Sequence, residues 1–164
     1  MNIIAAVDQN WGIGFGGKLL ISIPDDMKFF REKTQNKVVV MGRKTLQSLP
    51  GGIPLKNRIN MVLTKSNLQN LKGAIVCESL GSLFKQFKNY DSNDIFIIGG
   101  EQIYNLLLPF CKYAYITKIG KAYFADKFLP NLDLLNNWKI IKQSQPMVYN
   151  GVGYSFFTYV NNEI

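Results

Sequence analysis

Short runs rich in Ile and Val alternate with segments of helical pattern along most of the chain, and this alternation restricts the fold more than any other feature. The runs have the length and composition of buried strands and cover residues 2–7, 37–41, 59–64, 74–77, 94–98 and 113–119. Strands that alternate with helices form a mostly parallel sheet covered on both faces. The sequence therefore predicts an α/β fold.

Helices are predicted between these strands. Residues 80–87 carry apolar side chains at helical spacing, and Ser79 is placed to cap their start. A second helix is predicted over residues 100–108, ending before Pro109, and a short one follows Gly42. Pro24 suits the first turn of a further helix, because its missing N–H needs no partner there.

The C-terminal part has a different pattern, because residues 138–144 and 154–161 resemble strands with no helix between them. The turn sequence Tyr149-Asn150-Gly151 predicts an antiparallel hairpin. We expect a single domain over residues 1–164, since no repeat or linker interrupts the chain. The predicted architecture is three α/β/α layers around a central, mostly parallel twisted sheet, with the antiparallel hairpin at its end.

The composition is that of a globular protein. Hydrophobic residues make up 47% and charged residues 18%, and no apolar run approaches the roughly 18 residues of a membrane span. No signal-peptide pattern is present, and Cys77 and Cys111 stand alone, so we expect reduced thiols and a cytoplasmic protein. The net charge of +8 comes from scattered lysines, which fits small anionic ligands as well as nucleic acid.

The chain contains no histidine. Its absence excludes Ser–His and Cys–His nucleophilic schemes and histidine metal sites, and we expect no metal. Acid–base chemistry must then come from carboxylates, Tyr, Lys, water or the ligand.

Two adjacent carboxylates follow Pro24. Asp25 meets the positive end of the predicted helix dipole, whereas Asp26 shares a helix face with Phe30 and Lys33. An acid in apolar surroundings is costly unless it is paired, and the nearby sequence offers only Lys33. Two interpretations stay open, namely a solvated acid at a helix start and an acid held in an apolar pocket for a cationic or hydrogen-bonding ligand.

Gly12, Gly14 and Gly17 match the dinucleotide fingerprint G-x-G-x-x-G, but their context does not. No helix opens after them, and no acid stands near position 37 to bind a ribose hydroxyl. We therefore interpret residues 8–23 as a mobile lid rather than as a Rossmann turn.

Better phosphate sites follow two of the predicted strands. Arg43, Lys44 and Thr45 come after Gly42 at a helix start, where backbone N–H groups and an arginine fork bind anions. The paired glycines 99–100 let the backbone approach a ligand closely. Together these segments predict a dinucleotide bound across the C-terminal ends of the strands.

A series of motifs, in this order, resembles those of the dihydrofolate reductase family along nearly the whole chain. The motifs are IIAAV at 3–7, IG at 13–14, IPDDMKFF at 23–30, VMGRKT at 40–45, PLKNR at 54–58, IIGGEQIY at 97–104 and YIT at 115–117. The resemblance implies NADPH-dependent reduction of 7,8-dihydrofolate to tetrahydrofolate.

On the substrate side, the resemblance implies that Asp26 holds the 2-amino group and N3 of the pterin, with Thr117 in the same network. Arg58 would form a bidentate pair with the α-carboxylate of the substrate's glutamate. The carbonyls of two pocket residues, Ile4 and Ile98, would face the ring. The implied substrate-binding residues also include Ala5, Met27, Phe30 and Tyr104.

On the cofactor side, the adenosine phosphates of NADPH would be bound by Arg43, Lys44, Thr45, Thr64 and Lys65. The pyrophosphate and nicotinamide would be supported by Ile103, Tyr104 and the Gly99–Gly100 turn, which the family typically builds with a cis peptide. Asp126 would lie in the loop that braces the lid. The other cofactor-binding residues expected are Ala6, Ile13, Gly14, Gly17, Lys18, Leu19, Gly42, Leu63 and Gln102.

The chain departs from the family pattern in several places. Ile21 stands where the family usually has a tryptophan that helps order water beside the pterin. Glu101 puts an acid close to the proposed pyrophosphate site, and Gln102 stands where some relatives have arginine. Lys56-Asn57 replaces the usual Pro-Gly before the substrate arginine and still makes a plausible turn.

Other functions stay open beside this one. A pyrimidine reductase of riboflavin biosynthesis shares the fold, but its ribitol phosphate substrate would not need Asp26 and Arg58. The basic surface would also suit a nucleic-acid-binding module, and Ile21 would suit a ligand-holding protein with little turnover. If the protein is a reductase, we expect it to be a monomer that binds dihydrofolate and antifolate-type inhibitors and has no nucleic-acid or membrane partner.

Overall fold

The computed structural model describes residues 1–66 and 71–164. The strands in these residues are β1 (Asn2–Val7), β2 (Gly12–Gly14), β3 (Val38–Gly42), β4 (Ile59–Leu63), β5 (Ala74–Cys77), β6 (Ile95–Gly99), β7 (Tyr113–Ile119), β8 (Lys127–Phe128), β9 (Trp138–Gln143), β10 (Met147–Tyr149) and β11 (Val152–Asn161). The α-helices are α1 (Pro24–Thr34), α2 (Arg43–Ser48), α3 (Leu80–Phe87) and α4 (Glu101–Leu107). Short 3-10 turns occur at Pro50–Gly52, Ser92–Asp94, Leu108–Phe110 and Leu132–Leu134.

Nine of the strands form one sheet in the order β10-β11-β7-β1-β6-β3-β4-β5, with β9 also paired to β11. The pairs among β1, β3, β4, β5, β6 and β7 are parallel, whereas β11 runs antiparallel to β7, β9 and β10. The predicted sheet, parallel with an antiparallel C-terminal part, is therefore confirmed.

Alternate residues of a strand point to opposite sides of a sheet. Here the side chains on both sides are apolar, so helices cover both faces. Val40 of β3 belongs to the larger core, which Leu83 of α3 and Leu107 of α4 cover. Met41, the next residue, belongs to a smaller core that Leu46 of α2 covers. The three predicted layers thus follow from the alternation of buried side chains along the central strands.

Helix α1 packs on the part of the sheet formed by β7 and β11. The Phe29 ring stacks on the Phe156 ring with centroids 4.5 Å apart and meets the Tyr115 ring edge-on at 6.4 Å. Tyr115 in turn stacks on Phe96 of β6 at 6.0 Å. This row of aromatic rings carries the hydrophobic contact of α1 and places its first turn above β7.

The predicted strands and helices form with ends within one or two residues of the expected positions. Ser79 caps α3 as predicted, since its side chain accepts a hydrogen bond from the Ser82 N–H. The hairpin turn has Asn150 and Gly151 at positive φ and joins β10 to β11. Strand β10 itself was not predicted, because three residues are too few for an alternating pattern to show.

No helix opens directly after Gly17, since α1 begins only at Pro24, so the rejection of the Rossmann turn is confirmed. The segment 8–23 is not wholly irregular, because β2 pairs with β8 and Phe15 forms a bridge with Lys18. Cys77 and Cys111 are free, buried thiols. Within residues 1–66 and 71–164, no helix is long and apolar enough to cross a membrane.

Candidate active site

Asp26 lies in the first turn of α1 and faces β7. Its Oδ1 accepts a hydrogen bond of 2.6 Å from the Thr117 hydroxyl. Burial raises the pKa of Asp26 above its ordinary value, although the hydrogen bond from Thr117 acts in the opposite direction. This environment favours the pocket interpretation over a freely solvated acid.

Lys33, the partner that the nearby sequence offers, occupies a different place. Its ammonium lies over the Tyr115 ring, 4.3 Å from the centroid, and 5.7 Å from the centroid of Phe29. The hydrogen bond to Asp26 comes instead from Thr117, which is 91 residues away in the sequence. A short-range helix pattern cannot reveal such a partner.

A buried tyrosine stands near Asp26 on the side of the central strands. The Tyr104 hydroxyl donates a hydrogen bond of 2.8 Å to the carbonyl of Ile4. Burial, and after it the charge of Asp26, raise the pKa of Tyr104, so the hydroxyl remains a donor at neutral pH. Ala6 is the register partner of Thr117 in the parallel pair of β1 and β7. The structure thus brings Ile4, Tyr104, Thr117 and Asp26 into one neighbourhood.

Arg58 lies near the opposite end of α1. Its Nε donates to the Thr34 hydroxyl at 3.2 Å, and its Nη1 donates to the carbonyl of Lys56 at 2.7 Å. The rise of an α-helix separates Thr34 from Asp26 by about 12 Å. An elongated ligand along α1 would therefore have a carboxylate at one end and a guanidinium at the other. Asn57 has φ 56°, so the predicted turn before Arg58 forms.

The other residues predicted on the substrate side are placed less uniformly. Phe30 and Ile98 are half-buried, and Met27 is 39% exposed. Ala5 packs against the larger core, on the face of the sheet opposite α1. Its side chain is therefore not brought to the site, and only its backbone is available there.

The turn after β6 lies against α2 and α4 with little space. A Cβ on Gly100 would come within 3.2 Å of the Thr45 hydroxyl, and a Cβ on Gly42 within 3.1 Å of Ile103. Gly99 has φ +114°, where L side chains are strained, and the Gly99–Gly100 peptide is cis, as the resemblance implies. The backbone therefore carries no side chains where these strands end, which fits close approach by a phosphate-bearing cofactor.

Cations and hydroxyls follow the ends of β3 and β4, on the same edge of the sheet as this turn. Arg43 donates to Gln47 at 3.2 Å and is half-buried, whereas Lys44 and Lys65 are exposed. The Thr64 hydroxyl oxygen accepts a hydrogen bond of 3.1 Å from the Ser66 N–H at the end of β4. Leu63 packs toward the larger core, and Gln102 is exposed. The donor set is one that would suit an anionic cofactor.

Glu101, the acid beside the predicted pyrophosphate site, has a partner of its own. Its Oε1 accepts a hydrogen bond of 2.9 Å from the backbone N–H of Phe128 in β8. The carboxylate therefore links the start of α4 to the strand that pairs with β2. Sequence reasoning missed this link, because Phe128 contributes only a backbone group.

The segment predicted as a lid contacts the loop that contains Asp126. The Gly16 N–H donates to the Asp126 carboxylate at 3.3 Å, and Gly14 pairs with Lys127. Ile13 packs against the larger core, whereas Gly17, Lys18 and Leu19 are exposed. The predicted lid residues thus divide into an anchored part and an exposed part.

A tyrosine of the last strand also reaches the first turn of α1, which the sequence did not indicate. The Tyr154 hydroxyl donates a hydrogen bond of 2.6 Å to the Asp25 carboxylate. The two residues are 129 positions apart, so no local pattern connects them. Ile21, in the position of the usual tryptophan, packs against the apolar cluster that contains Tyr154.

Comparison with known proteins gives a consistent result. A family model described as dihydrofolate reductase matches residues 1–161. The chain is 33% identical to the dihydrofolate reductase of Bacillus subtilis, with 88% of this chain and 83% of that protein covered. It is 34% identical to the bifunctional dihydrofolate reductase-thymidylate synthase of Glycine max, covering 96% of this chain. The chain spans about a third of the length of such bifunctional relatives, with 33% of the Glycine max protein covered.

A solved structure shows the same fold. The dihydrofolate reductase of Enterococcus faecalis, in complex with NADP(H) and RAB-propyl, aligns with a TM-score of 0.86. The two chains are 31% identical, and the alignment covers 98% of this chain and 95% of the other. With the family model matching nearly every residue, this chain belongs to the dihydrofolate reductase family.

Proposed function

We propose that the chain reduces 7,8-dihydrofolate to 5,6,7,8-tetrahydrofolate with NADPH, by hydride transfer to the pterin ring, and so supports one-carbon and thymidylate metabolism. The observation that carries this proposal is the half-buried Asp26, hydrogen-bonded to Thr117 and close to Tyr104, in a chain of this family. A carboxylate in such a site is matched to a flat heterocycle with adjacent N–H donors.

In this proposal Asp26 is the catalytic residue and holds the 2-amino group and N3 of the pterin. Thr117 orients the carboxylate through their hydrogen bond. Protonation of the pterin at N5 makes the imine carbon more electrophilic, and we assign the delivery of that proton to water rather than to Asp26. The protein's contribution is then alignment of the ring and a site of low polarity.

Arg58 would bind the α-carboxylate of the substrate's glutamate. Its position near the C-terminal end of α1 supports this role, because it leaves about 12 Å along the helix for the ring system and the linker. Ile4, Ile98, Met27 and Phe30 would contact the substrate between the two ends. Ala5 would contribute its backbone, since its side chain faces the other core.

NADPH would be bound at the edge of the sheet where β3, β4 and β6 end. It supplies the hydride when bound. Arg43, Lys44, Thr45, Thr64 and Lys65 would hold its phosphates, and the tightly packed glycine turn would accept its pyrophosphate. The anchored and exposed lid residues would exclude water from the two rings.

The direct test is an assay of NADPH consumption by the purified chain with dihydrofolate. We expect consumption that an antifolate suppresses, and no consumption with the ribityl-phosphate pyrimidine of riboflavin biosynthesis. Consumption with the pyrimidine alone would replace the proposal by the alternative reductase. Salt-dependent binding of nucleic acid without folate affinity would contradict both enzyme functions.

We also propose that residues 1–164 act as one domain and that the protein works in the cytoplasm. A single sheet that receives strands from both the start and the end of this chain supports the first statement. The separate, free thiols of Cys77 and Cys111 support a reducing compartment. A monomer remains our expectation for its solution state.

A further inference from the structure

We propose that Tyr154 and Asp25 are positioning residues for Asp26, because their hydrogen bond holds the first turn of α1 on the sheet. This inference rests on the proposed function, since Asp26 is the catalytic residue only in that proposal. It concerns a carboxylate next to the catalytic one and a hydroxyl on the last strand of the sheet.

Helix α1 begins without a capping side chain of its own. Ile23 occupies the N-cap position and makes no side-chain hydrogen bond to the first turn. The first intrahelical hydrogen bond runs from the Met27 N–H to the Ile23 carbonyl at 3.0 Å. A helix start without a cap tends to fray, so other contacts must hold the turn that carries Asp26.

Two hydroxyl–carboxylate hydrogen bonds tie this uncapped turn to the sheet. Thr117 on β7 donates to Asp26, and Tyr154 on β11 donates to Asp25, each at 2.6 Å. These strands are antiparallel neighbours, and Tyr154 pairs with Ile119, two residues beyond Thr117. The two hydroxyls therefore lie on the same face of the sheet.

Two bonds constrain the turn more than one. Consecutive helix residues point about 100° apart around the axis, so Asp25 and Asp26 meet the sheet at different places. The Phe29 contacts lie further along the helix, so with the Thr117 bond alone the start of α1 can still roll and change the direction of the Asp26 carboxylate. The bond from Tyr154 to Asp25 removes this freedom.

Tyr154 is well suited to anchor a helix. Its side chain is 5% exposed and packs in a cluster with Ile23 and Ile119, and its ring meets Phe156 edge-on at 5.9 Å. The hydrogen bond to Asp25 raises the pKa of Tyr154 to about 12, so the hydroxyl stays a donor throughout the neutral range. A rigid donor thus meets a carboxylate that is itself exposed to solvent.

The test compares Tyr154→Phe, Asp25→Ala and the double variant with Tyr149→Phe as a matched control. Tyr149 packs against the same cluster, and among the described residues its hydroxyl makes no hydrogen bond with another side chain. We expect Tyr154→Phe and Asp25→Ala each to lower kcat for dihydrofolate about tenfold, with unchanged Kd for NADPH. The double variant should be no worse than either single one, and Asp25→Asn should recover most of the activity.

The pH profile separates positioning from a general loss of stability. The neighbouring ionisable side chains are Asp25 on the same helix as Asp26, Tyr104 on α4 and Tyr154 on β11. In Tyr154→Phe we expect the midpoint of kcat/KM to move to higher pH. In the unmodified protein the hydrogen bond from Thr117 lowers the pKa of Asp26. A rolled turn weakens this bond, so the pKa of Asp26 rises.

Hydrogen exchange tests the same inference without any activity. The Met27 amide should exchange faster in Tyr154→Phe and Asp25→Ala than in the unmodified protein or in Tyr149→Phe. If the unmodified chain failed to reduce dihydrofolate, the proposed function would fall while this measurement still decided the role of Tyr154. Unchanged exchange with unchanged kinetics, or losses that add in the double variant, would overturn the inference.

Discussion

Asp26 is subject to two opposing influences at the residue scale. Burial favours its neutral form, whereas the hydrogen bond from Thr117 favours the ionised form, and the pKa ends above its ordinary value. A raised pKa in an acid means that ionisation costs the folded state some stability. When it is ionised, the residue that we propose for catalysis therefore lowers the free energy of unfolding.

The first prediction concerns turnover. Asp26→Asn keeps the size of the side chain but loses the negative charge that would hold the pterin, so turnover at neutral pH should fall by roughly 10²–10⁴. NADPH affinity should stay the same in a fluorescence titration. Turnover equal to that of the unmodified chain would remove Asp26 from its proposed role.

The same variant should be more stable at neutral pH. Because the folded-state pKa of Asp26 is raised, its ionisation destabilises the protein as pH rises through the ordinary carboxyl range. We expect Asp26→Asn to increase Tm at neutral pH and to have little effect at acidic pH, where the acid is neutral in both states. Thermal unfolding at the two pH values checks this, and a lower Tm at neutral pH would contradict it.

Arg58 provides a prediction about substrate affinity. Arg58→Lys retains the charge but loses the planar fork and the bond to Thr34, so KM for dihydrofolate should rise about tenfold with a smaller change in kcat. Lys28→Arg, at an exposed position on α1, is the control and should change neither. An unaltered KM in Arg58→Lys would refute the proposed carboxylate pair.

Strands and helices could be predicted where their own residues determine them. Val38, Val39 and Val40 form the buried strand that their β-branched side chains predict, and Ser79 with Ser82 forms a capping box from residues three apart. Strands β2 and β8 escaped prediction, because two or three residues show no alternation and their pairing depends on each other. Local sequence predicts elements well when the stabilising contacts are local.

Helix α3 offers a test at the element scale. Ser79→Ala removes the hydroxyl that accepts from the Ser82 N–H and should lower the free energy of unfolding by about 1 kcal/mol. Reductase activity should not change, because α3 lies on the face of the sheet away from Asp26. Urea unfolding gives the first quantity and steady-state kinetics the second; equal stability would mean that the cap contributes nothing measurable.

The site was harder to predict than the elements. The positions of Asp26 and Arg58 on or beside α1 followed from motifs, whereas the donors to Asp25 and Asp26 lie on β11 and β7. Which hydroxyls reach these two carboxylates depends on how the pair β7–β11 lies beneath α1. Glu101 shows the same limit, since its partner is a backbone N–H of β8 that has no signature in the sequence.

At the scale of the whole molecule, a charged network ties the sheet to the chain before β9. Lys118 of β7 forms an ion pair of 2.6 Å with Asp133, and the Tyr159 hydroxyl donates to the same carboxylate at 2.7 Å. Burial raises the pKa of Asp133, but the hydrogen bonds from Lys118 and Tyr159 outweigh it and leave the pKa below its ordinary value.

This network predicts how stability depends on pH. A lowered pKa contributes stability above the unfolded-state value, and that contribution is lost as pH falls through the folded-state pKa. Asp133→Asn should therefore destabilise the protein at neutral pH, by about 1 kcal/mol at most since the pair is partly exposed, and the difference should vanish in acid. Denaturant unfolding across this range measures it; a difference that is constant with pH would contradict the assignment.

The order of strands has a consequence for synthesis of the chain. Asn2 of β1 pairs with Phe96 of β6 on one side and with Tyr113 of β7 on the other. Until β6 and β7 have left the ribosome, β1 of a nascent chain has both edges unpaired, and such edges recruit other chains. Chaperone contact during translation should therefore concentrate on the N-terminal strand and end once β7 has emerged.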